Sequence, residues 1–310
     1  MKPMIIDSFC FFEPYQIDML LIKFHVEDAG VAEWVITENT YSFRGEYKGP
    51  HILNQILQND KRFARFLPKI KVIEVEIERK CTPGVEDWEI IFLQRETQKE
   101  YLYDNYPSDS WLLVSDADEI VDFANPEKAT LIYDAIEQHY GEIIHPNPFF
   151  FVYDFDNTFP TSEWLLLVLV ELSYFKKKDV RLEQPRMERL VGYCMPYGST
   201  AYHYHSCMRP RHIFRKLCTY GHTNFVKDDV NQWLYYNHGM FRSKLGEKIE
   251  AKGFTLDTVK LTEKNSPLYV RESIEQLKTR SVDTNYVKNR QDWFAGIHTF
   301  PDIVGEDSNV

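Results

Sequence analysis

Apolar and polar positions change period along this chain, and the changes mark its elements. MIIDSF, residues 4–9, is a short apolar run that reads as a buried strand ending at Asp7. In YQIDMLLIKFHVEDAG, apolar side chains recur at 17, 20, 21 and 24, the spacing of one helix face, and Gly30 marks the stop. AEWVITEN reads as a second strand, ending at Glu38, and HILNQILQNDKRFARFL as a second helix. KIKVIEVEI sets Ile70, Val72, Ile73, Val75 and Ile77 among charged residues, which predicts a third strand. WEIIFLQRETQKEYLYDNY returns to helical spacing, and SWLLVSDADEI reads as the fourth strand.

Strands and helices therefore alternate over the first 120 residues. That order predicts an α/β fold, a Rossmann-like, mainly parallel sheet with helices on both faces. Ligands of such sheets sit beyond the carboxyl ends of the strands. Asp7, Glu38 and the acids at 116–119 all fall at predicted carboxyl ends, so acidic groups are expected along one edge.

Past residue 120 the pattern changes. PEKATLIYDAIEQHY is helical, and EIIHPNPFFFVYDFD looks like strands interrupted by two prolines. TSEWLLLVLVELSYF fits helix or strand, with helix favoured because Thr161 or Ser162 would cap it. Residues 176–225 are loop-rich and carry many Arg, Tyr and His, and from about 229 the chain reads as helices and a polar tail. The simplest division is a catalytic domain over 1–228 and a helical C-terminal extension and tail over 229–310.

Charge narrows the partners. The formal net charge is -11, which repels nucleic-acid phosphates and anionic lipid. An anionic substrate would need a local basic patch or a divalent cation. The five Cys have no CxxC pair and read as free thiols of a reducing compartment. The N-terminus lacks a signal-peptide shape, and the longest apolar run, WLLLVLV, cannot span a bilayer. The expectation is a soluble, cytoplasmic protein, in the host cytoplasm if the chain is viral.

Within LLVSDADEIV, an apolar run ends in Asp116, Asp118 and Glu119. Residues i and i+2 of an extended chain point the same way, so Asp116 and Asp118 could share one hard cation, Mn²⁺ or Mg²⁺. Such a cation could hold a nucleotide diphosphate and neutralise it as a leaving group. A bland reading also exists, in which the three acids cap the following helix or face solvent. AYHYHSC, 201–207, offers His203 and His205 as imidazole ligands, or as a stacked, partly buried pair. RPRHIFRK, 209–216, places Arg211, Arg215 and Lys216 where they could clamp phosphate oxygens, unless the run is a solvated helix face. RMERL, 186–190, is a second, smaller basic group. There is no GxxxxGK[ST] loop, no GxGxxG and no GxSxG elbow.

Six stretches occur in the order seen in glycosyltransferase family 17. They are DSFCFFEPYQIDMLLIKF, VITENTYSFRG, FLPKIKVIEVEI, WEIIFLQRE, LLVSDADEI and AYHYHSCM…IFRKL…GHTNF, and they cover roughly residues 4–226. The chain resembles that family, which includes the enzyme that adds bisecting β1,4-linked N-acetylglucosamine. The resemblance implies a GT-A fold, a UDP-sugar donor, a divalent metal and inversion at the anomeric carbon. It makes Asp116 and Asp118 ligands of metal and diphosphate, and His203 a third protein ligand. His205 stands where the family usually has Ser, which leaves the choice between the two histidines open. It places Asp7, Ser8, Glu38 and Arg95 toward the nucleotide, and Lys216 and His222 near phosphate. The region 145–190 matches least, and neither the membrane anchor nor the lumenal stem of the animal members is expected here. The N-glycan activity itself is therefore not carried over.

The function these readings imply is a metal-dependent, inverting transfer of a sugar, N-acetylglucosamine or another hexose or pentose, from a UDP-sugar to a glycan hydroxyl. A carboxylate would take the proton of the acceptor hydroxyl. Glu163, Asp156, Asp154 and Glu119 are the candidates, with Glu163 preferred because it begins an element after the acceptor-side strands. The alternatives are a non-catalytic GT-A-like module that binds glycan or nucleotide and, behind it, a metal-dependent phosphoesterase.

Overall fold

A computed structural model describes residues 2–79, 88–152, 155, 157–158, 165–187, 192–205, 207, 212, 216, 248–251 and 254–281. The strands up to the middle of the chain are β1 (Ile5–Phe11), β2 (Val31–Asn39), β3 (Ile70–Val75), β4 (Trp111–Val114), β5 (Glu119–Val121), β6 (Ile144–His145) and β7 (Phe149–Val152). Those that follow are β8 (Asn157–Thr158), β9 (Val168–Glu171), β10 (Tyr193–Cys194), β11 (Ala201–His205), β12 (Lys248–Ala251) and β13 (Phe254–Thr258). The helices are α1 (Ile17–Glu27), α2 (Leu53–Asn59), α3 (Glu89–Glu96), α4 (Gln98–Asn105), α5 (Pro126–Gln138), α6 (Leu172–Lys178), α7 (Gln184–Met187) and α8 (Leu268–Ser281).

The architecture is mixed α/β, as the alternation predicts. A seven-stranded sheet has the order β10-β6-β9-β4-β1-β2-β3. Its neighbours pair in parallel except at β9, which runs antiparallel to both β4 and β6. Every residue of β1 and of β4 is buried, the continuous burial expected of central strands covered on both faces, although β1 carries Asp7 and Ser8 in its middle. The chain steps from β1 outward to β2 and β3, and β4 returns to the other side of β1. That reversal leaves a crevice beyond the carboxyl ends of β1 and β4, the usual ligand position in such sheets.

A second sheet, with the order β12-β13-β8-β7-β11-β5, stands beside the first. Helix α1 serves both. Leu20, Leu21 and Phe24 join the core that contains Ile5, Phe9 and Trp111. Met19, Ile22 and Val26 join Ile120, Phe151, Tyr202, Tyr204, Val270 and Leu277. A helix apolar nearly all round is one buried on several sides. It ends where expected: a Cβ on Gly30 would fall 2.2 Å from the Phe123 ring, so this close approach needs glycine.

Four local expectations change. β1 continues to Phe11, so Asp7 lies in mid-strand and not at its carboxyl end. The fourth strand stops at Val114, and after a turn the chain re-enters the other sheet as β5. Residues 168–171 are strand, inserted between β4 and β6, and helix begins only at Leu172. Thr161 and Ser162 lie outside the described residues. Residues 248–251 and 254–258, expected as helix, form β12 and β13, because β13 finds β8 as a pairing partner.

Candidate functional site

The acidic motif is the crossing between the two sheets. Ser115 donates its backbone N–H to Ser8 O at 3.1 Å, which ties the start of the turn to β1. Glu119 N–H bonds to Asp116 O at 3.0 Å, and the Glu119 side chain accepts Asp116 N–H at 2.7 Å, which closes the turn.

Asp116 is held from both sides. Arg95 donates to its Oδ1 at 2.5 Å and Arg186 to its Oδ2 at 2.8 Å. Both arginines are themselves fixed. Arg95, fully buried on α3, donates to Ser8 O at 3.0 Å and Ser115 O at 2.6 Å, and its Nε pairs with Glu183. Arg186 donates to Val114 O at 3.0 Å, to Glu119 at 2.6 Å and to Glu183 at 3.1 Å. Burial alone would raise the Asp116 carboxyl, but Arg186 and Arg95 hold it below the ordinary carboxylate value. Burial raises Glu183 despite the same two arginines.

Asp118 faces the other sheet. Tyr204 N–H bonds to Asp118 O at 2.8 Å, and β11 pairs antiparallel with β5 with His203 opposite Glu119. The strand AYHYH then sorts its side chains by parity. Tyr202 and Tyr204 enter the core, while His203 and His205 share the opposite face beside Asp118. Ligand atoms of Asp118, His203 and His205 all lie within 4.8 Å of one another. His203 Nε2 is 3.6 Å from Asp118 Oδ1, and Lys216 donates to Asp118 Oδ2 at 3.2 Å. Burial would raise Asp118, but Lys216 and the two histidines hold it well below the ordinary carboxylate range. Phe150 packs edge-on against His203 and stacks on His205.

Asp116 and Asp118 open onto a pocket at the crevice between β1 and β4. Cys10, Phe12, Tyr15, Gln16, Phe43, Ile91, Ala117 and Lys216 complete its lining, around about 460 Å³ of free space partly open to solvent. One wall is charged and the other is aromatic. Phe12 and Phe43 pack with ring centroids 4.8 Å apart, and Tyr15 stacks on His212. Gln16 accepts Phe12 N–H at 2.6 Å, which pins the loop that carries this wall. The Cys10 thiol is pushed up to about 12 by burial, so it is not a thiolate nucleophile at neutral pH.

Of the residues singled out in the sequence, Asp116, Asp118, Arg95, Lys216, His203 and His205 come together here. Asp7 and Ser8 lie beneath the site in mid-strand. Asp7 Oδ2 is 2.7 Å from Lys23 Nζ, and the Ser8 hydroxyl donates to Gln98. Glu38 caps α2, accepting the N–H of Ile52 at 2.9 Å and of Leu53 at 3.0 Å. Glu119 is fully buried, with its carboxylate on Arg186 and Asp116 N–H. Asp154, Asp156, Glu163, Arg211, Arg215 and His222 lie outside the described residues. Arg186, Glu183 and Lys23 are parts of the site that the sequence reading missed. The only local signals were the basic character of RMERL and a lysine inside an otherwise apolar helix.

No protein-family model matches the chain, and no curated protein sequence matches it. Among solved structures, the galactosyltransferase LgtC in complex with donor and acceptor sugar analogues aligns over 92% of this chain and 99% of its own. The identity is 13% and the TM-score 0.31. UDP-glucose pyrophosphorylase complexed with UDP-glucose aligns over 93% and 100%, at 13% identity and a TM-score of 0.25. Likeness at that level establishes neither a common fold nor a common activity. No helix among the described residues is long and apolar enough to cross a membrane.

Proposed function

We propose that this protein is a metal-dependent, inverting glycosyltransferase that uses a UDP-sugar and acts on a glycan hydroxyl, with its catalytic domain over residues 1–228. One observation carries the reading. An acid and two imidazoles converge at the crevice where the order of a parallel sheet reverses, beside a pocket walled by aromatic rings.

The donor set fits a metal ion. Ligands about 2.2 Å from one ion lie roughly 3–4.4 Å apart, so donors within 4.8 Å need shifts of only tenths of an ångström. One carboxylate and two nitrogens suit Mn²⁺ better than Mg²⁺, which prefers oxygen ligands. Asp118, His203 and His205 would hold a divalent cation, which would supply Lewis-acid neutralisation of the departing diphosphate.

The chain's own residues do the rest. Lys216 adds positive charge beside Asp118, where the diphosphate would lie. Asp116, fixed by Arg95 and Arg186, offers a rigid acceptor to a donor hydroxyl. Phe12, Tyr15 and Phe43 offer ring faces to a base or a sugar. The acceptor oxygen forms a bond to the anomeric carbon as the bond from that carbon to phosphate oxygen breaks on the opposite face. The acceptor proton passes to a carboxylate. Glu163, Asp154 and Asp156 are the candidates, because Glu119 is already committed to Arg186.

The test is thermal unfolding with a panel of UDP- and GDP-sugars, each with and without Mn²⁺, for wild type and Asp118→Ala. A ligand at 100 times its Kd stabilises the native state by about 2.7 kcal/mol. Stabilisation by a UDP-sugar that needs Mn²⁺ and disappears in Asp118→Ala is the expected result. A folded wild type that responds to no nucleotide refutes the reading. Binding without turnover of sugar nucleotide points to a non-catalytic module, and hydrolysis with no acceptor dependence points to a phosphoesterase.

A further inference from the structure

Beneath the site lies a second ionic cluster that the proposed chemistry does not use. Lys23, Asp7 and Glu27 are all fully buried. Lys23 Nζ is 2.7 Å from Asp7 Oδ2, 3.1 Å from Glu27 Oε1, 3.1 Å from Ser115 Oγ and 2.5 Å from the Glu119 carbonyl oxygen. Ser115 Oγ donates in turn to Asp7 Oδ1 at 2.6 Å. Glu27 accepts Val121 N–H at 3.0 Å and Trp34 Nε1–H at 3.0 Å. The contacts from Lys23 and its two acids therefore land on Ser115, Glu119 and Val121. These residues bracket the turn that carries Asp116 and Asp118.

Ion pairs this deep are poor stabilisers. The cost of taking charge out of water offsets most of the attraction, and apolar residues of equal volume often serve stability as well or better. The cluster's placement explains it better than its energy. The turn leaves one sheet at Val114 and enters the other at Glu119, so it lacks a continuous ladder on either side. Lys23, on a helix packed against both cores, reaches the start and the end of the turn at once.

We propose that Lys23, neutralised by Asp7 and Glu27, is a positioning residue that fixes the Ser115–Glu119 turn and so sets Asp118 against His203 and His205. Its effect on the metal rests on the site reading given above. Its effect on the turn does not.

The test pairs two readouts on the full-length protein. Lys23→Met alone would leave two buried acids without their cation and would fold poorly. Lys23→Met with Asp7→Asn removes one charge of each sign and keeps the volume, and the Glu27 carboxyl, which burial already raises, can stay protonated. In that double variant, amide hydrogen exchange at Ser115, Asp116, Glu119 and Val121 should quicken roughly tenfold. The β1–β2 ladder should stay as protected as in wild type. Mn²⁺ affinity, measured by calorimetry, should fall about ten- to hundredfold, the usual cost of losing a group that orients a ligand. Should the double variant fail to fold, Ser115→Ala severs one tether and should give the same local change in smaller measure. A folded variant whose turn exchanges as slowly as wild type overturns the proposal. A wild type that binds no Mn²⁺ refutes the metal reading alone, and the exchange data still decide the role of Lys23.

Discussion

The two aspartates of one turn sit two residues apart and meet opposite surroundings. Asp116 has a guanidinium on each oxygen, and both guanidiniums are locked to backbone carbonyls and to Glu183. Asp118 has two imidazoles and a lysine. The first half of the turn belongs to the seven-stranded sheet, the second half to the six-stranded one. A carboxylate saturated by charged hydrogen bonds is a fixed part of the wall, whereas one set beside ring nitrogens can share a cation with them. The two acids of the DxD pattern therefore meet asymmetric surroundings in this chain, although their spacing alone would make them a symmetric pair.

The largest effect should come from breaking the Asp116 side. Arg186→Met leaves buried Glu119 without its cation, and Asp116 and Glu183 with Arg95 alone, and should cost about 3–5 kcal/mol in urea unfolding. An unchanged midpoint would mean that the arginine network is not formed in solution. On the other side, Asp118→Asn keeps the volume and removes a buried carboxylate that pairs with Lys216, and should cost less in unfolding than Arg186→Met. It should weaken Mn²⁺ binding about a hundredfold, some 2.7 kcal/mol by calorimetry. If Asp116→Asn weakened metal binding as much, the contrast between the two acids would fail.

The aromatic wall sharpens the comparison from the substrate side. Tyr15→Ala should reduce UDP affinity by about 1–2 kcal/mol if a base stacks there, and should leave Mn²⁺ affinity alone. A titration gives the smallest effect. Asp118 sits well below its ordinary value of 3.8, so its contribution to stability is present above that value and is lost as pH falls through the lower folded one. The stability gap between wild type and Asp118→Asn should be constant from neutrality to about pH 5 and close below pH 4. A gap that widened in acid would reverse the assigned direction.

Much of the frame was legible because buried parallel strands write themselves as apolar runs separated by helical spacing. WLLV followed by DAD marked both a strand and its end, whereas AYHYH fell in a stretch that read as loop-rich, and only pairing with β5 and β7 made it a strand with two histidines on one face. Less legible was WLLLVLVELS, where a short apolar run fits strand or helix equally, and only insertion between β4 and β6 decided for strand. Asp7 and Glu38 illustrate a different limit. Their acidity was visible, but whether an acid meets solvent, a helix end or a buried lysine depends on neighbours far along the chain.

By itself, then, the sequence determined the mainly parallel α/β frame, the acidic cluster that follows WLLV and the spacing of two histidines, because hydrophobic periodicity and i, i+2 spacing are local properties of a chain. Only the tertiary structure decided which acid faces which cation. Arg186 reaches Asp116 across 70 residues and Lys23 reaches Glu119 across 96, and no local period encodes contacts that exist only after two sheets have closed around one helix.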